Sequence, residues 1–234
     1  MHARQFVFPL AAIVVAVAIW KFGASPAAGV PAGTWRIGTG IDVKQGRNFD
    51  ELPADSPVRL SFHCDEPRHV YVFSHSDEDG TLLLFPSPLI AGGLGNPLAA
   101  GQSVLPGTHE GKELAWTTRS GVVGATTYLA VASRDKVAEL DELAPKLRLW
   151  SNTVFPDHSM QVTKPAGATE LLGKARGPLP SELLQRAAKV GFDEPNPNGP
   201  LVPDPVLDGV WIGSWKVREK KVPAPAPAPG DGKK

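Results

Sequence analysis

The amino-acid sequence predicts a mainly β protein. It is an antiparallel, β-sandwich-like domain with one or two short helices, behind an N-terminal transmembrane helix and ahead of a disordered C-terminal tail. Three observations predict this. Between Pro57 and Pro86, three short apolar, β-branched and aromatic runs are separated by turn residues. An uninterrupted apolar run, Phe6 to Trp20, follows a short basic start containing Arg4. From Pro223 the chain reads PAPAPAP and ends on lysines.

Composition bounds the function. Hydrophobic residues make up 42% of the 234, enough for a real core. Gly and Pro number 24 each, about twice average usage, so long loops are expected. Formal charge is zero but unevenly spread. Lys216 to Lys234 holds six basic and two acidic residues, and Arg4 and Lys21 add two positives, which leaves residues 22–215 at −6. An acidic body of this kind is a poor nucleic-acid binder, so no nucleic acid is expected as partner. The single cysteine, Cys64, forms no internal disulfide and no four-thiolate zinc site.

In chain order, residues 1–23 form a membrane anchor or signal segment. Fifteen helical residues span about 22 Å, short of the roughly 30 Å hydrocarbon core. Trp20 at an interface, a snorkelling Lys21 and Phe22 extend the run, so the membrane contact is assigned to residues 6–22. A cleaved signal peptide competes, since Ser25-Pro26-Ala27 and Ala27-Ala28-Gly29 offer small residues, and so does a buried cytoplasmic helix. Residues 24–33 are a Pro/Ala/Gly linker.

The β-rich domain is placed at 34–155. Trp35, Ile37, Ile41 and Val43 share a period-two face in a first strand, with Gly38 and Gly40 opposite. In VRLSFHC, Val58, Leu60, Phe62 and Cys64 alternate with polar residues, as a half-buried strand requires. HVYVFSH is apolar on both faces, which predicts a central strand covered on both sides. Asp79-Gly80 closes a hairpin into Thr81–Phe85, and Pro86 stops it. These three runs are expected to form one three-strand meander. A loop over 86–102 precedes further strands at Ser103–Pro106, Glu113–Thr118 and Thr126–Ser133, the last of which is central. Ser133 is expected to cap a helix burying Val137, Leu140 and Leu143 and ended by Pro145. Leu147–Val154 is expected as an edge strand.

Residues 156–217 are expected as a loop-rich extension. In it Ser181 caps a helix over Glu182–Val190 closed by Gly191, residues 193–209 form a loop, and Val210–Val217 is a late strand that returns to the sheet or a sticky segment that seeks a partner. Trp211 and Trp215 lie on one face of that strand and are expected to pack into the core rather than stack on a ligand. Residues 218–234 form the disordered Pro/Ala and Lys tail.

Taken together, several marks in this order resemble the bacterial family known as domain of unknown function 4384, over about residues 45–145. They are Tyr71-Val72-Phe73, Asp79-Gly80, Leu84-Phe85-Pro86, Ala100-Gly101, Leu105-Pro106 and Ala132-Ser133. The resemblance implies a compact β-sandwich-like module attached to bacterial membrane or signalling proteins such as kinases, peptidases and anti-sigma factors. It implies no catalytic residues.

No catalytic, cofactor-binding or metal residue is assigned, and no cofactor is expected. His63, Cys64, Asp65, His69, His75, Asp77 and Asp79 crowd together, but His63 and Cys64 point to opposite faces. His69 and His75 lie roughly 20 Å apart along one strand. Asp77, Asp79 and Gly80 lack the other ligands of a calcium loop. No nucleophile elbow, phosphate loop or zinc-protease motif occurs, and Gly38-Thr-Gly40 is followed by no helix. The expected function is a single-pass inner-membrane binding or accessory module with its bulk extracytoplasmic, or periplasmic if cleaved. Its partner is a protein or an envelope component. An envelope hydrolase using the 86–102 loop and nearby carboxylates, and a structural subunit of an envelope complex, are the alternatives.

Overall fold

The computed structural model describes residues 29–38, 42–53, 55–77, 80–87, 94–109, 112–118, 124–149, 153–154, 178–193 and 199–220. The expected anchor (6–22), most of the 218–234 tail, Gly40 and Ile41 of the expected first strand, Glu78, Asp79 and all of 155–177 lie outside them. No helix among the described residues is long and apolar enough to cross a membrane.

Short strands β1 (Ala32–Ile37), β2 (Lys44–Gln45) and β3 (Asp50–Leu52) lead into β4 (Pro57–Cys64), β5 (His69–Ser76) and β6 (Gly80–Phe85). Then come β7 (Gly101–Leu105), β8 (Thr108–His109), β9 (Lys112–Glu113), β10 (Ala115–Thr117) and the long β11 (Ala125–Ser133). Helix α1 (Ala138–Leu143) runs into a 3-10 turn, Ala144–Lys146, followed by β12 (Arg148–Leu149) and β13 (Thr153–Val154). Helix α2 (Glu182–Asp193) precedes β14 (Gly199–Pro200), β15 (Val202–Pro203) and β16 (Val210–Glu219).

The mainly β expectation holds: the described residues form two large sheets, a separate β8-β9 hairpin and two short helices. The first sheet runs β13-β10-β4-β1-β14, with β2 on β1 and β7 on β4; the second runs β12-β6-β5-β11-β16-β15, with β3 on β16. The second sheet is mixed, since β12 and β3 pair parallel to β6 and β16. Inward residues of both sheets form one cluster, with Trp35, Leu60, Phe62 and Trp116 from the first and Val70, Val72, Leu84, Tyr128 and Trp215 from the second. The outer face of the second sheet is covered by helices: Tyr71, Phe73, Leu129, Val131 and Ile212 pack with Leu140, Leu183, Leu184 and Ala187. This explains why β5 and β11 are apolar on both faces whereas β4 alternates.

The three-strand meander is corrected. β5 and β6 pair as expected, but β4 pairs with β1, β7 and β10 in the other sheet. The chain changes sheets at Asp65–Arg68. That connection, Asp-Glu-Pro-Arg, has no glycine for a primed hairpin turn, and Arg68 bonds instead to Leu98 in both directions (3.0 and 2.8 Å).

Both expected central strands sit mid-sheet. β11 pairs with β5 on one side and, over nine residues, with β16 on the other. The stretch expected as an extension therefore supplies a principal strand of the second sheet, and Trp215 is fully buried. Ser133 does not cap α1. It ends β11, opposite His69 and Val210, and its hydroxyl donates to the Asp135 carbonyl (2.6 Å), while the helix starts after Val137. Two ladders hold Ser133 extended, and they outweigh its capping tendency. Val137 and Leu140 are buried as expected. Tyr71 fixes α1 to β5 by donating to Asp141 (2.6 Å); burial first, then Asp141, pushes that phenol well above its usual pKa. Ser181 does cap α2, accepting from the Leu184 N–H (3.2 Å). The helix runs past Gly191 to Asp193, since a glycine inside a helix costs only about 1 kcal/mol and does not itself stop it. The expected 147–154 edge strand is instead two short pieces, one at the edge of each sheet.

Candidate functional site

Strand alternation sets the side chains at the end of the domain where Gly29 leads into β1. In β4, His63 faces solvent and Cys64 faces the core. The Cys64 thiol lies 3.5 Å from the Ala99 carbonyl, and burial raises its pKa, which keeps it a protonated core residue. Asp65, just past the strand, accepts from the Gly29 N–H (2.8 Å) and sits 3.3 Å from His63 Nε2. The Gly29 bond, then His63, holds its carboxyl below the usual carboxylate range. Arg68 Nη2 donates to the Gly29 carbonyl (3.1 Å). Gly29 is thus gripped through both its N–H and its C=O by one turn, at φ +86°, where a glycine is favoured.

The remaining residues of the His/Asp group are dispersed. His69 opens β5, and His75, six residues on, places Nδ1 3.0 Å from Thr81 Oγ1, with burial lowering its pKa. Among the described residues, no three His, Cys, Asp or Glu side chains come together as a metal site would need. Gly38 takes φ +94° in a tight turn, and its carbonyl accepts from the buried Arg59.

The structure brings together a group that the sequence does not reveal. The Arg68 side chain is 1% exposed and lies 4.5 Å over the Trp211 ring. Besides Gly29, its Nη2 donates to Glu66, while Nε and Nη1 are buried without a partner among the described residues. Arg134, 60% exposed, approaches the same indole (5.7 Å) and the same Glu66 carboxylate (3.6 Å). Next to them lies a cleft of about 430 Å³ lined by the apolar Val137, Leu207 and Val210, by Arg134 and Lys136, and by the carboxylates Asp135, Glu139 and Asp208. No sequence signal marks Arg68, because charged residues are almost never fully buried unless paired. Trp211 and Trp215 face the shared core, as expected of packing residues.

A second feature is an edge. β7 pairs with β4 from Leu60↔Leu105 to Cys64↔Gly101, and among the described residues nothing pairs with its other side. Its five residues, Gly-Gln-Ser-Val-Leu, carry no charge and no proline, the devices that usually protect a strand edge. Gln102 and Val104 point outward, opposite His63 and Ser61, and Gln102 Nε2 donates to the Ser61 hydroxyl (3.0 Å).

Compared with known proteins, the chain matches no family model, no curated protein and no solved structure.

Proposed function

We propose that this protein is a membrane-anchored, extracytoplasmic binding or accessory module of a bacterial envelope or signalling system. It acts by recognition rather than by chemistry of its own, and its occupant is an extended segment of a partner protein laid along β7. The β7 edge carries this reading: an uncharged, proline-free row of backbone donors and acceptors can be completed by a partner strand, with main-chain bonds supplying affinity and alternate side chains supplying selectivity. The linker supports the placement of the edge. Gly29 is clamped by the turn that follows β4, whose last residue pairs with Gly101, so β7 begins at the end of the domain where the expected anchor enters.

Gatekeeping charges test the reading. Gln102→Lys and Val104→Lys change outward positions and are expected to leave thermal stability within about 0.5 kcal/mol. Crosslinked capture of the tagged chain from membranes is expected to fall about tenfold in the double variant, while Gln45→Lys on β2 leaves it unchanged. Equal capture by all three proteins would remove the edge from the account.

A further inference from the structure

Two arginines in this molecule are treated very differently. Arg186 meets Asp204 with a filled fork, Nε to Oδ1 at 2.7 Å and Nη2 to Oδ2 at 2.9 Å, and that carboxylate is fully buried. Arg68 is the more deeply buried of the two, at 1% exposure against 20%. Yet it receives one oxygen of Glu66, a half-exposed carboxylate only two residues away. Each donor edge of its guanidinium includes Nη2, which is occupied, and one idle nitrogen, Nε or Nη1. Leaving buried charged donors idle is costly, and a purely structural arginine is served better by the Arg186 arrangement. Glu66 also answers to Arg134, so one carboxylate serves two guanidiniums on one indole.

We infer that Glu66 stands in for the carboxylate of an incoming ligand, which displaces it and binds between Arg68 and Arg134. Once Glu66 is displaced, the ligand's carboxylate takes the Nη2 donor that Glu66 held together with the idle nitrogen beside it, and its apolar portion lies toward the cleft that Arg134 shares with Val137, Leu207 and Val210. The source is either a free small acid or an acidic side chain of a peptide, and the test separates the two. The site is independent of the β7 edge.

The test uses the full chain, titrated with N-acetylglycine and with a blocked tripeptide carrying one internal glutamate, each against its amide counterpart, and followed by tryptophan fluorescence and heat of binding. Saturable binding of carboxylates and not of amides is expected. Removing the internal competitor with Glu66→Gln is expected to tighten binding about tenfold, equivalent to ~1.4 kcal/mol, and Arg134→Gln to weaken it several-fold. Binding of the tripeptide alone assigns a peptide ligand, and equal binding of both probes assigns a free acid. The inference is overturned if folded Glu66→Gln protein binds carboxylates no more tightly than wild type, or binds amides equally. Should Glu66→Gln fail to fold, unchanged binding by Arg134→Gln, whose side chain is mostly exposed, overturns it instead.

Discussion

Replacing Trp215 by alanine is expected to cost about 3–5 kcal/mol, a large part of the roughly 5–15 kcal/mol that a domain has in total. Trp215 is fully buried and stacks on Trp35 across the two sheets (5.2 Å between centroids, 26°) and on Tyr128 beside it (5.3 Å, 24°). Its indole N–H donates to the Arg47 carbonyl (2.8 Å), which pins the 46–49 turn against β16. Truncation therefore opens a cavity between the sheets, removes two ring contacts and frees the turn. At roughly 2–4 °C per kcal/mol, the melting temperature is expected to fall on the order of 10 °C, measured by calorimetry. A matched variant approaches the same contact from the other side. A Cβ on Gly46 would lie 2.7 Å from Trp215 Cζ2, so Gly46→Ala is expected to destabilise with no change in charge or core volume.

Asp204→Ala is the second large expected loss, about 3 kcal/mol, at the lower end of what breaking a buried pair costs because Arg186 keeps some access to water. The Asp204 carboxylate holds the Arg186 fork and also accepts from the Leu207 N–H (2.9 Å), so it joins α2 to the turn that launches β16. Burial alone would raise its pKa, but the Arg186 and Leu207 hydrogen bonds together outweigh burial and lower it. The sign follows. A carboxyl whose folded pKa is depressed stabilises the fold above its ordinary value and loses that contribution as pH falls through the folded value. Wild-type protein is therefore expected to lose stability in acid with a component that Asp204→Ala lacks, read from denaturant midpoints across pH. Parallel pH profiles for the two proteins would contradict this.

Much of the fold is legible where periodicity is local. Trp35 and Ile37 alternate into the core as their spacing requires, but the strand expected to run on to Val43 stops at Ile37, where the chain turns at Gly38 and β2 pairs back on β1; the two-sided runs of β5 and β11 sit mid-sheet, and Ser181 caps its helix. What is not legible depends on distant partners. Nothing within 57–76 states that β4 and β5 belong to different sheets, because β1, β7 and β10, which claim β4, come from elsewhere in the chain. Ser133 has the composition of a cap and the position of a ladder residue, and two neighbouring strands decide between them. Val202 and Pro203 look like loop but pair with Ile212 and Trp211 once β16 is in place. The Arg68 group is hidden for the same reason: Glu66, Arg134 and Trp211 come from the turn before β5, the end of β11 and β16, and meet only where these three strands pair in the second sheet.

Site-specific photocrosslinking in living cells tests most directly whether a partner strand lies along β7, whose outer side is unpaired among the described residues. A photoreactive residue at Gln102 is compared with one at Gln45, on the β2 strand at another part of the same sheet. A discrete heterologous crosslink is expected at 102, absent at 45 and lost when Val104→Lys is added. Crosslinking at 45 and 102 alike, no crosslink at 102, or a product that is only a dimer of this chain would contradict it.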